Sequence, residues 1–172
     1  MMSAPFFDQA TSMDFKVHFS KAMEKYGIVA AGYALIDHGD IIELDVLSKN
    51  SDVKATADFL FQACSFSKSL TAFAALKLIQ AGQFNLDDPL TTVLKKWGPA
   101  GGSADKARVT VRRCLNMTSG LAYANPAVTY LQAESIPVLS DILHGVEPAK
   151  TGVISVATSP GTRYSYSGAG YS

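Results

Sequence analysis

Residues 63–82 read ACSFSKSLTAFAALKLIQAG, and inside them Ser65-Phe66-Ser67-Lys68 sets a serine one helical turn ahead of a lysine. Leu70, Phe73, Ala74, Leu76, Leu78 and Ile79 then cover most of a helix circumference. A helix apolar nearly all round is expected to be buried. Gly82 stands where a C-terminal cap belongs. Positions i and i+3 share a helix face, about 5–6 Å apart at Cβ, so Lys68 is within reach of the Ser65 hydroxyl. First-turn N–H groups lack intrahelical partners and the helix dipole favours negative charge there, so a developing oxyanion would be stabilised. For Lys68 to act as a base its pKa must fall from about 10.4 to roughly 7–8, about 4 kcal/mol of destabilised charge, which burial can supply.

Ser-x-x-Lys is a weak signal alone, and it occurs three times: Ser51 to Lys54, Ser65 to Lys68 and Ser103 to Lys106. By itself the tetrapeptide is better read as a capping serine followed by a surface lysine. Context separates the three. Ser51 lies in a polar stretch, and Ser103 follows Pro99, Gly101 and Gly102, which predicts a loop. Only Ser65 precedes an apolar helical run. Cys64 beside it reads as a small buried hydrophobe, with a rival nucleophile as the other possibility. Two cysteines, Cys64 and Cys114, are too few for a disulfide framework.

The chain has 172 residues, of which 48% are apolar and 17% charged, enough for one real core and below the charge fraction of about 25% usual for soluble domains. That deficit predicts surface that is covered by something else. Fifteen residues of each sign and no basic run argue against nucleic acid and anionic membranes as partners. No apolar run has transmembrane length, and the start MMSAPFFDQATSMDF lacks a basic region and an apolar core, which favours the cytoplasm. His18, His38 and His144 do not cluster at metal-ligand spacing. There is no Gly-x-Ser-x-Gly, phosphate loop or dinucleotide fingerprint, so no cofactor is expected.

Phe15, Phe19, Ala22, Met23 and Tyr26 mark a helix-period face over residues 12–26. GIVAAGYALI (27–36), DHGD and IIELDVLS (41–48) predict a β-hairpin. From residue 65 onward the pattern is helical: Asn85 as the cap of a short helix through Leu94, Asp87-Asp88 at its start, and Thr110 as the cap of VRRCLNM, ended near Ser119-Gly120. Pro126, Pro137 and Pro148 punctuate the next stretch, and Pro160-Gly161 marks a turn. Two strands are too few for a stable sheet, and the sequence stops just as YSGAGYS opens an element. The expectation is therefore an incomplete α/β (α+β) domain. Residues 1–60 would be its helix and hairpin, residues 61–172 a helical region, and the remaining strands would lie beyond Ser172.

Three segments in order carry a resemblance. ACSFSKSLTAFAALKLIQAGQFNLDDPL resembles the nucleophile helix of serine β-lactamases and penicillin-binding proteins, a superfamily that uses Ser-x-x-Lys. VTVRRCLNMTSGL is similar to that family's ITIRHLLTHTSGL, and SPGTRYSYSGAGY to its PGTRFSYSNTGY. The likeness spans roughly residues 20–172 and points to the class C-like branch of β-lactamases, DD-peptidases and esterases. It implies the β-lactamase/transpeptidase-like fold and an active-site-serine hydrolase working through an acyl-enzyme on ester or amide substrates, whether β-lactam, D-amino peptide or carboxylic ester. It assigns Ser65 as nucleophile, Lys68 as its base partner and Tyr166 as the proton relay. Tyr164 falls on a structural aromatic of the family.

Departures from the pattern matter. Gly168 stands where the family's Tyr-x-Asn motif has asparagine, which puts β-lactam and peptide turnover in doubt and leaves simpler esters open. A catalytically silent protein of the same fold is the competing reading. Met117 replaces the histidine of HTSGL and reads as structural. Lys150-Thr151-Gly152 spells the family's third motif but precedes Tyr166, so it reads as a coincidence in a loop.

Overall fold

The computed structural model describes residues 9–49, 56, 58–125 and 136–172, the side chains of 9–13 and 103–104 excepted. The Ser51–Lys54 pair and Pro126 lie outside the described residues. The chain divides into two compact units, residues 1–62 and 63–172. No helix among the described residues is long and apolar enough to cross a membrane.

In the first unit, helix α1 (Gln9–Lys25) precedes the antiparallel strands β1 (Ala30–Asp37) and β2 (Asp40–Ser48). The predicted helix and hairpin are both present. Strand register slips at Leu35/Ile36, next to the two-residue His38-Gly39 turn. The helix-period face works as expected: Phe15 and Phe19 lie 5.0 and 5.3 Å from the Tyr33 ring in edge-on geometry, a favoured aromatic arrangement. Met23 is buried. Lys16 adds ion pairs to Glu43 and Asp45, both at 3.0 Å, and the Tyr33 hydroxyl donates to Glu43. Hydrogen bonds to the two carboxylates push the Lys16 pKa up.

The second unit begins with a 3-10 turn (Cys64–Phe66) leading into α2 (Ser67–Gln80). Gly82, at φ 71°, closes α2: its N–H donates to Ile79 O and that of Gln83 to Leu78 O, the two bonds of a Schellman cap. The buried-helix expectation fails. Leu70 and Phe73 are 64% and 65% exposed, and α2 has no buried residue. Apolar composition demands a packing partner but does not supply one, and among the described residues no element packs broadly along this helix.

Short elements follow: α3 (Leu90–Val93), α4 (Ser103–Arg108), α5 (Val111–Leu115), β3 (Leu121–Tyr123), α6 (Leu139–His144) and β4 (Ile154–Val156). Three corrections to the sequence reading arise here. Asn85 does not cap a helix: its N–H donates to the Asp88 carboxylate in a turn, and α3 starts only after Pro89. Asp87 instead forms a two-point ion pair with Arg112 at 2.7 and 2.8 Å. Ser103 opens helix α4 rather than lying in a loop, because Gly102 ends the glycine run in extended geometry suited to a helix entry. Finally, the region read as helical holds a second antiparallel sheet, with Leu121 opposite Val156 and Tyr123 opposite Ile154. Strands of three residues are too short to show alternation.

Thr110 does cap α5, accepting from the Arg113 N–H at 3.3 Å, while the carbonyls of Asp88 and Leu86 accept from Val111 and Arg112. The buried core joins Val109, Cys114, Leu121, Ile154 and Ala169, with Trp97 and Leu143 at its margin. Gly120 is the tightest point beside β3. It has φ 73°, and a Cβ there would stand 2.1 Å from the Thr158 carbonyl oxygen. Gly120→Ala is expected to lose at least about 1–3 kcal/mol of stability from backbone strain, read as a lower urea midpoint at unchanged slope.

Candidate active site

Ser65, Lys68 and Tyr166 come together although 101 positions separate the serine from the tyrosine. Cys64 has φ 45°, outside helical geometry, so α2 cannot extend upstream and Ser65 falls in the 3-10 turn ahead of it. Lys68 stands one turn on, in the first turn of α2, its Nζ donating to Ser65 Oγ at 3.2 Å. Cys64 is exposed, a correction to its reading as a buried hydrophobe. It shares the exposure of the whole turn and of α2, neither of which has a buried residue. Cys114 is the buried thiol, and desolvation pushes its pKa up to about 11.

Tyr166 arrives on an extended stretch held from behind. Arg108 donates to Ser159 Oγ and to Pro160 O at 2.9 and 2.8 Å, which fixes the Pro160-Gly161 turn. Ser165 N–H donates to Met117 O at 2.8 Å, and Ser167 N–H approaches Met117 Sδ at 3.5 Å. Met117 is thus structural, as read: it carries the strap on which Tyr166 sits. The Ser167 hydroxyl then caps the closing 3-10 turn Gly168–Tyr171. Because Ser165 and Ser167 turn their N–H groups to the body of the unit, Tyr166 between them reaches Ser65. Its Oη lies 2.5 Å from Ser65 Oγ.

Lys68 Nζ also stands 5.2 Å from the Tyr166 ring centroid and 6.0 Å from that of Tyr171. The Ser65 hydroxyl and then the Lys68 ammonium stabilise the Tyr166 phenolate, so its pKa lies below the ordinary 10.0. Tyr171 goes the other way, its pKa raised by burial, and its hydroxyl donates to Leu115 O at 2.7 Å. The three groups line a cleft of about 510 Å³, together with Leu121, Tyr123 and Gly168. Lys68 is the one charged residue among those lining it. Tyr123 and Tyr171 were not singled out by sequence, and neither sits in a motif with a chemical signature.

Tyr164, two residues before Tyr166, is exposed and does not line the cleft. Thr151 of the Lys150-Thr151-Gly152 match lies in the loop before β4, also outside the cleft. His18, His38 and His144 hold separate exposed positions, bonded to Asp14, Asp37 and the Ser140 carbonyl. No cluster of metal-ligating side chains occurs among the described residues.

The sequence profile of the Beta-lactamase family matches residues 15–172. The chain belongs to the beta-lactamase family. Among curated relatives, penicillin-binding protein 4 of Amycolatopsis lactamdurans is 36% identical over 107 residues, covering 60% of this chain and 28% of the relative. Esterase EstB of Burkholderia gladioli is 29% identical over 108 residues, covering 61% of this chain and 28% of the relative. The matches thus span just over a quarter of each relative's length. Family membership gives the mixed helix-and-strand β-lactamase fold, of which the described residues carry six helices and four strands.

Proposed function

We propose that this protein is a serine hydrolase of the beta-lactamase family that cleaves carboxylic esters through an acyl-enzyme. The observation that carries the reading is the convergence on Ser65 Oγ of Tyr166 Oη at 2.5 Å and Lys68 Nζ at 3.2 Å. Tyr166, as phenolate, takes the Ser65 proton while Oγ bonds to the ester carbonyl carbon. The Lys68 ammonium stabilises the phenolate before transfer and the serine oxygen during it. The tetrahedral oxyanion develops at the amino end of α2, where the helix dipole favours negative charge. Collapse breaks the bond to the alkoxy leaving group, which receives the proton from Tyr166. Water then attacks the acyl carbon, returns a proton through Tyr166 to Ser65, and releases the acid.

This assignment shifts the base from Lys68, as read from sequence, to Tyr166. The motive is that Lys68 lies partly open to solvent rather than against a buried helix, while hydrogen bonding to Ser65 and then to Lys68 lowers the Tyr166 pKa. Gly168 favours esters over amides, because it offers no side-chain hydrogen bond to a substrate amide. One relative's name, esterase, fits this preference; the other's, penicillin-binding protein, keeps β-lactams as the competing substrate.

A substrate panel on the full-length protein tests it. Esters of p-nitrophenol should turn over with an initial burst, and β-lactams and D-alanyl peptides at least about 100-fold more slowly. Absence of ester turnover, with or without β-lactam binding, would favour a silent member of the fold. Gly168 is the feature that gives that second reading its standing.

A further inference from the structure

We infer that Tyr123 is the specificity-determining wall of this cleft, seated in the room left by Gly168, and that its ring receives the apolar acyl group of the ester substrate. The inference rests on the ester-hydrolase reading and deepens it. Tyr123 ends strand β3, opposite Ile154, so its backbone is fixed by the small sheet and anchored on the core. Its ring lies against the Gly168 Cα: a Cβ at 168 would meet Tyr123 Cε2 at 3.3 Å and Oη at 3.9 Å. The approach to Cε2 is tighter than ordinary van der Waals contact, and every further side-chain atom at 168 would add to the crowding. A large side chain at 168 and the Tyr123 ring in this position therefore exclude each other.

The ring is also fastened at its far end. Its hydroxyl pairs with the Ser172 hydroxyl, which in turn donates to Gly168 O at 3.3 Å. The Tyr123 hydroxyl is thereby spoken for within the protein, and what the ring offers a ligand is its apolar surface. Ala122, half-buried, also lines the cleft, whereas Leu121 is buried in the core. The ring face is apolar and no carboxylate lines the cleft, so the wall suits an apolar acyl group, with the Lys68 charge directed at Ser65 and Tyr166 rather than at this wall.

The test compares p-nitrophenyl acetate with p-nitrophenyl hexanoate on the full-length protein. Wild type should prefer hexanoate through KM, and Tyr123→Ala should raise the hexanoate-to-acetate KM ratio at least tenfold. Tyr123→Phe, which keeps the ring, should hold that ratio within threefold of wild type. Gly168→Asn should lower hexanoate kcat/KM at least tenfold when Tyr123 is present and less than threefold in the Tyr123→Ala background. Fluorophosphonate labelling of Ser65 reports in parallel that each variant is folded and its serine reactive. Labelled variants with an unchanged KM ratio, or an equal Gly168→Asn effect in both backgrounds, overturn the role of Tyr123 and leave the hydrolase reading standing. Wild-type protein that neither hydrolyses an ester nor takes up the probe overturns both.

Discussion

Ser65→Ala is expected to lower ester kcat/KM by about 10⁴-fold or more while leaving the melting temperature within a few degrees. The size follows from the role. Without Oγ no acyl-enzyme forms, and Tyr166 and Lys68 are left flanking an empty methyl. The small stability effect follows from exposure: Ser65 lies in an exposed turn, and among the described residues its side chain bonds to the two partner groups described above. Surface substitutions of that kind usually stay within about 0.5 kcal/mol. Stopped-flow release of p-nitrophenol reads the first quantity, through loss of both burst and steady state, and thermal melting the second. A Ser65→Ala protein that still shows a burst would move the nucleophile elsewhere, with the neighbouring exposed Cys64 first in line.

Tyr166→Phe should cost about 10²–10⁴-fold in kcat/KM, the range of a positioned general base, and should also change the shape of the pH profile. The sign follows from the active form. In the proposed mechanism Tyr166 works as phenolate, so activity is expected to rise with pH through its ionisation. The Ser65 hydroxyl and the Lys68 ammonium both favour that phenolate, so the rise should be centred below the ordinary tyrosine value of 10.0. Phenylalanine removes the titrating group, and the limb should vanish with it. Lys68→Met gives an internal check on cause: loss of the ammonium should move the limb upward in pH. A Tyr166→Phe enzyme that keeps the wild-type limb would return the role of base to Lys68.

The parts of this molecule that were legible in the sequence are those whose cause is local. The hairpin follows from two apolar, β-prone runs flanking the polar Asp37-His38-Gly39-Asp40, the α5 cap from Thr110, and the α2 terminus from Gly82, each within a few residues. The Ser65–Lys68 pair is local as well, since a one-turn spacing brings the two together in either helix type. Tyr166 is different. Its approach to Ser65 depends on Arg108 fixing the Pro160-Gly161 turn and on Met117 holding Ser165 and Ser167, contacts 48 to 52 positions apart along the chain. Only likeness to a family made it visible beforehand.

What stayed hidden is non-local or too short to carry a pattern. Strands β3 and β4 have three residues each and are joined only by tertiary pairing. Tyr123 becomes notable only when its ring is found over Gly168. Asn85 and Asp88 chose each other in a turn where propensity alone offered a helix cap. The exposure of α2 is the opposite case. Its composition predicts burial, but burial depends on neighbours that composition does not encode.

The proposed hydrolysis requires Ser65 Oγ to be the acylated atom. Full-length protein should be incubated with a fluorophosphonate probe, or quenched during turnover of a slow ester, digested, and mapped by mass spectrometry. A single adduct on the peptide containing Ser65, absent from Ser65→Ala and slowed by at least tenfold in Tyr166→Phe, is the predicted result. An adduct on Cys64 or on any other residue, or none in a folded protein, would contradict it.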